Sequence, residues 1–344
     1  MNKNDKKAHR GNKGIIDPRT IKDFPVYKEA ELLEFLSFKM PSTPRKTLKG
    51  LLTHHQVAVG GVPVSQYNYR LYPEDVVTVS KNPIAKRESK GLKIIYEDND
   101  LIAIDKPSGL LSTATEREKG KTAYRMVSDY FANKREGRAF VVHRLDEDTS
   151  GVLVFAKSYE VREALQNSWQ SIVGKRKYYA IVEGEMEREE GVLRDYLYQD
   201  SFQLVRVTKD KDKGKLAITN YRVIAKGNGM TLLDVDIHSG RKNQIRVQLG
   251  HIGHYVIGDD KYGEPIDPIK RLGLHAYELS FTNPLNGKEY DFVSPMPQCF
   301  KTLFFKKKPM TESGKKANSV QNKRGQKTKS MIKIEKGKQR RAHR

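Results

Sequence analysis

HRLDEDTSG, from His143 to Gly151, sits between the apolar runs AFVV (Ala139 to Val142) and VLVFA (Val152 to Ala156). Short runs rich in Val and Phe on both sides of a polar knot read as two strands joined by a loop. A plain turn needs only Gly, Asn, Asp or Ser, each for a backbone reason. His143 and Arg144 have no such backbone role, so the loop does something besides reverse the chain.

Outward from this loop the pattern is β-rich. TLLDVDI (Thr231 to Ile237) and KYYAIVEG (Lys177 to Gly184) alternate as strands, with Leu233, Val235 and Ile237 on one face. SYEVREALQNSW reads as a helix capped by Ser158, with Val161, Ala164, Leu165, Ser168 and Trp169 on one side. NQIRVQLGHIG reads as another. HIGH (His251 to His254) matches a synthetase tetrapeptide but lacks that family's sequence context, and reads as helix-end packing. Strands and helices follow no strict βαβ repeat, which predicts an α+β fold on a mixed, mainly antiparallel sheet with flanking helices.

Before this body, residues 26–82 read as a small separate domain. Leu32, Leu33, Phe35 and Leu36 mark a short helix, and TPRKTLKGLL a second, with Thr43 as N-cap and Pro44 as first helical residue. QVAVGGVPV gives a hairpin turning at Gly60 and Gly61, and PEDVVTV a closing strand. His54 and His55 read as turn residues. The expected divisions are a basic tail over 1–25, the small domain over 26–82, a polar linker over 83–92, the body over 93–305 and a basic disordered tail over 306–344.

The net charge is +22, unevenly spread: residues 306–344 hold fifteen Lys and Arg against two Glu. Such tails suit a polyanion, because each phosphate contact releases condensed counterions. Deleting 306–344 should weaken RNA affinity and flatten its salt dependence. A single Cys299 excludes an internal disulfide framework and a Cys-based zinc cluster. No apolar run approaches a bilayer span, and no secretory leader pattern follows the first charges, so a cytoplasmic protein without membrane contact is expected.

HRLDEDTSG fits H-R-L-D-x-x-T-S-G, and here the chain resembles the pseudouridine synthases of the RluA family over residues 93 to about 300. IIYEDNDLIAIDKPSGLLS resembles the family's opening strands. RKYYAIVEG resembles its K-x-Y-x-A-x-V-x-G strand, with Arg176 at the usual Lys. GRKNQIRVQLGHIGHYVIGDDKYG resembles its G-R-x-H-Q-I-R segment, and LGLHAYELSFTNPLNGKEYDFVSPMP its closing segment. Asn243 and Gln248 stand where His is usual, and Tyr255 where Pro is usual; Arg241, Gln244, Arg246, Asp259 and Tyr262 are retained. The small domain resembles an S4-type RNA-binding domain.

The resemblance implies isomerisation of uridine within RNA, with no cofactor and no metal. Asp146 would be the key carboxylate, either a nucleophile toward the uridine or the base that removes a sugar proton. Arg246 would pair with it, and Tyr178 would lie against the uracil. Arg144 would fill the stack vacated by a flipped uridine. The expected substrate-binding set is His143, Arg144, Thr149, Ser150, Gly151, Arg241, Asn243 and Gln244. Arg45, Lys46 and Lys49 would meet RNA phosphates from the small domain's second helix.

Two readings of different class follow. One is a synthase, expected as a monomer, whose partner is large-subunit (23S) ribosomal RNA or its precursor particle. The alternative is a non-catalytic S4-type RNA-binding or ribosome-assembly protein, for which replacing Asp146 would change nothing in the cell.

Overall fold

A computed structural model of the chain describes residues 21–84, 91–115, 121–134, 137–263 and 266–305. The tails 1–20 and 306–344, and residues 85–90 of the expected linker, lie outside the described residues. The described residues up to Phe300 form one compact unit.

The N-terminal part contains β1 (Ile21–Pro25), β2 (Ala30–Glu31), α1 (Leu32–Lys39), α2 (Arg45–Thr53), β3 (Val57–Val59), β4 (Val62–Pro63), β5 (Arg70–Leu71) and β6 (Val76–Ser80). Leu32, Leu33, Leu36, Leu48, Leu52, Val57, Leu71 and Val77 close its core. Two sequence expectations are corrected here. Residues 21–25, assigned to the basic tail, form β1, which pairs antiparallel with β6 through Phe24 and Val77. Pro44, not Thr43, is the N-cap of α2: its carbonyl accepts from Leu48 N–H, while Thr43 N–H is tied back to Met40.

The body runs β7 (Ile94–Glu97), β8 (Leu101–Lys106), α3 (Ala123–Lys134), β9 (Phe140–Val141), β10 (Ser150–Ala156), α4 (Tyr159–Ile172), β11 (Val173–Glu183), β12 (Glu190–Gln199), β13 (Val205–Thr208), β14 (Lys215–Gly227), β15 (Met230–Ile237), α5 (Gln244–His251), β16 (Leu274–Thr282), β17 (Glu289–Val293) and α6 (Gln298–Phe304). Its eleven strands form one sheet in the order β13-β12-β14-β15-β11-β16-β10-β8-β7, with β17 on β16 and β9 on β10. Every pair is antiparallel except β10 with β16, so the mixed, mainly antiparallel α+β expectation is borne out.

The apolar run VLVFA has a direct structural reason. Val152, Val154 and Ala156 face a core shared with Val161 and Leu165 of α4. Leu153 and Phe155 face the opposite core, with Val127 and Phe131 of α3. A strand covered on both faces must be apolar at every position. Ser158 caps α4 by accepting from Val161 N–H, as expected.

The N-terminal part is locked to the body at Arg138. Its guanidinium pairs with buried Asp75, donates to Arg70 O at 3.0 Å, and lies 4.5–5.5 Å from the rings of Phe140, Tyr69 and Tyr72. Tyr72 also stacks on Tyr159 of α4 at 4.3 Å.

Candidate active site

β9 and β10 form a hairpin, Val141 opposite Phe155, and residues 143–149 are its loop. The loop is clasped by the chain that leaves β8. Lys106, fully buried, donates from Nζ to Glu147 O at 2.8 Å, Leu110 O at 2.6 Å and Pro107 O at 3.1 Å. Ser108 Oγ donates to Asp148 O, and Ser112 Oγ exchanges hydrogen bonds with both backbone groups of Leu145. Leu145 is thereby plugged into the α3-side core, which fixes its neighbours Arg144 and Asp146.

The neighbours differ. Arg144 is exposed and makes no hydrogen bond or ion pair with a described residue. Asp146 is half-buried, and its carboxylate likewise has no partner. Burial pushes its pKa above the usual carboxylate range, while Arg246, Lys106, Lys242 and Lys261 pull it back. A partly desolvated carboxylate held charged only by surrounding cations has its lone pairs free for a ligand.

Arg246 does not pair with Asp146, contrary to expectation. It lies on α5 and is gripped by Asp259, Nε at 2.7 Å from Oδ2 and Nη2 at 2.6 Å from Oδ1. Asp259 is 1% exposed and also accepts from the N–H groups of Lys261 and Tyr262. A bidentate buried pair in this geometry outcompetes a more distant carboxylate. Arg246 therefore acts on Asp146 as a nearby charge.

Tyr178, on β11, is within electrostatic range of both Asp146 and Arg176. Burial pushes its phenol up to about 12, so it is protonated at neutral pH and offers a ring and an O–H donor rather than a resident base.

Several other expected substrate-binding residues are occupied by the fold. His143 stacks on Trp169 at 5.2 Å, its Nε2 accepts from Val154 N–H, and burial lowers its pKa to about 3. Thr149 is buried; Ser150 Oγ bonds to His275 and accepts from Arg271. Gly151 lies so close to β16 that a Cβ would collide with the Ala276 carbonyl, and its φ of +117° is open to glycine. Gln244 joins Ser239, Thr219 and the Arg241 N–H in one network, extended by Gln248 to Asp195. Asn243, in left-handed conformation at φ 54°, bridges Tyr262 and Arg246; Asn tolerates that conformation better than most residues. Arg241 donates to Leu216 O and has no carboxylate partner among the described residues.

In the N-terminal part Arg45 is paired with Glu34, Lys49 lies 5.6 Å from the Tyr67 ring, and Lys46 is exposed. Sequence reasoning did not single out Lys106, Asp259 or Arg176 as site residues. For Lys106 a signal existed: a lysine ending the apolar strand LIAIDK must find acceptors inside the protein. His254 of HIGH bonds to Glu183 O, a packing role.

Comparison with known proteins gives a consistent picture. A family model described as RNA pseudouridylate synthase matches residues 100–251. The chain is 31% identical over 284 residues to an uncharacterized RNA pseudouridine synthase of Bacillus subtilis, covering 79% of this chain and 92% of that protein. It is 36% identical over 220 residues to ribosomal large subunit pseudouridine synthase D of Nitrosomonas europaea, covering 61% and 63%. Human RNA pseudouridylate synthase domain containing 1 shares the fold, with a TM-score of 0.54 at 18% identity over 69% of this chain and 97% of that one.

Proposed function

The chain belongs to the RluA-type RNA pseudouridine synthases, isomerases that act on RNA, and on that premise we propose that it converts uridine to pseudouridine in structured RNA of the large ribosomal subunit, with Asp146 as the reacting carboxylate. The observation that carries this reading is the Asp146 carboxylate: fixed by the Leu145 plug and the Lys106 clasp, surrounded by cations, and hydrogen-bonded to none of the described residues. The choice of large-subunit RNA is supported by the name of the Nitrosomonas relative.

The uridine leaves its helix, at a cost of roughly a few kcal/mol, and Arg144, free and exposed beside Asp146, fills its place. The bond from N1 to C1′ breaks, the uracil turns against the Tyr178 ring, and a bond from C5 to C1′ forms. C5 loses its proton to water and N1 gains one. Asp146 serves as nucleophile or as base, and in either role it must be ionised. Arg246, Lys106, Lys242 and Lys261 supply the potential that keeps it so. The S4-type reading of the N-terminal part, with Lys46 and Lys49 as phosphate contacts, gives the RNA a second hold; Arg45 is committed to Glu34. We place the enzyme in the cytoplasm, as a monomer without cofactor or metal.

The test is tritium release from ribosomal RNA labelled at uridine C5, comparing the protein with Asp146→Asn. Release by the unaltered protein alone supports the reading. Binding without release by either protein moves the chain to the RNA-binding, ribosome-assembly alternative.

A further inference from the structure

β11 carries Arg176 two residues before Tyr178. Its side chain is half-buried, yet it makes no hydrogen bond or ion pair with any described residue. The guanidinium lies against Gly240, where a Cβ would stand 2.9 Å from Nη1, so a larger residue at 240 would push it aside. Next along the chain is Arg241, whose Nε reaches only the Leu216 carbonyl. The segment is fixed, because Gln244 Oε1 accepts from both Ser239 Oγ and Arg241 N–H. Two arginines thus stand within electrostatic range of each other, neither with a carboxylate in ion-pair contact among the described residues; Asp236 is near enough to be felt but not to bond.

This arrangement is costly in the free protein. A half-buried guanidinium loses solvation, and a like-charged neighbour adds to the loss. Among the described residues no carboxylate bonds to the charge, and its neighbours carry none to match it: Tyr178 stays protonated and His143 neutral. An anion would recover the cost, and a planar fork of donors matches a phosphate oxygen pair better than a lysine would. We propose that Arg176 and Arg241 together bind one RNA phosphodiester adjacent to the flipped uridine, anchoring the backbone beside Asp146 and Tyr178. This extends the synthase reading and rests on it.

Binding of C5-tritiated ribosomal RNA, measured from low to moderate salt together with tritium release, tests the assignment. Arg176→Ala should weaken binding on the order of tenfold, the loss of a charge-assisted contact, and flatten the slope of log affinity against log salt by roughly 0.7 to 0.9. Arg176→Lys should restore the slope but only part of the affinity. The double variant with Arg241→Ala should lose less than the sum of the single losses, since both hold one phosphate. An unchanged salt slope in Arg176→Ala, or additive losses in the double variant, would overturn the shared site. So would full binding with lost release, which would assign Arg176 to the chemistry instead. Absence of release from the unaltered protein tells against the synthase reading, and the salt slopes still decide the phosphate site.

Discussion

Asp259 holds Arg246 by two hydrogen bonds, of 2.6 and 2.7 Å, and leaves Asp146 without a direct partner among the described residues. The cation expected to bind the reacting carboxylate is instead clamped by a second acid 13 residues away on its own side of the fold. The clamp sets the position of the charge, and the free carboxylate keeps its oxygens for substrate.

Removing one half of that clamp should be costly. Asp259→Ala leaves a buried guanidinium uncompensated, and about 3 kcal/mol of stability should be lost in urea unfolding. Replacing both partners together, Arg246→Leu with Asp259→Leu, should recover much of the stability and none of the tritium release. A single Asp259→Ala variant as stable as the original would show that Arg246 finds Asp146 unaided.

Asp146→Asn should abolish tritium release, by about 10⁴-fold or more, while making the protein more stable at neutral pH. The sign follows from burial, which raises the folded-state pKa above the unfolded value. Such a carboxylate favours folding when protonated and opposes it once charged, so its cost grows as pH rises through the folded pKa. The advantage of Asn should therefore fade below the ordinary carboxylate range. Urea unfolding at neutral and strongly acidic pH compares the two. Tritium release by the unaltered enzyme should have its acid limb above the usual Asp pKa.

His143 should not titrate across the ordinary histidine range. Its pKa is lowered to about 3 by burial, with Arg176 adding to the effect. A lowered folded pKa means stability that is present above pH 6.5 and is lost as pH falls from there toward 3. Its C2 proton resonance in the NMR spectrum should hold still from pH 7 to about 4.5, and substitution with Gln should reduce the acid sensitivity of unfolding. A resonance that moves with a midpoint near 6.5 would mean an exposed ring and an open stack with Trp169.

Arg138→Ala should loosen the N-terminal part from the body. Asp75, 8% exposed, would lose its cation, and the rings of Phe140, Tyr69 and Tyr72 would lose the Arg138 guanidinium. A cost of about 3 kcal/mol is expected, with one unfolding transition becoming two as the parts cease to unfold together. A single, unshifted calorimetric transition would refute the lock.

The sequence by itself determined the local elements and the residues of the reacting loop. The apolar runs on either side of HRLDEDTSG are strands because a strand covered on both faces must be apolar throughout, and the Ser158 cap and the Gly60–Gly61 hairpin are equally local. Asp146, Arg144 and Tyr178 were legible from residue type, order and family resemblance. Tertiary structure decided how the charges pair. Sequence distance cannot rank Asp146 against Asp259 as partners of Arg246, because the choice depends on which carboxylate presents both oxygens in the guanidinium plane. It also decided that His143, Ser150 and Gln244 serve the scaffold, since their hydrogen-bond partners lie on other elements. Likewise, the short N-terminal stretch IKDFP became strand β1 because β6 offered an edge to pair with, a fact written in β6 and not in residues 21–25. Local propensity is short-ranged; electrostatic pairing, burial and strand addition are properties of what the fold brings together.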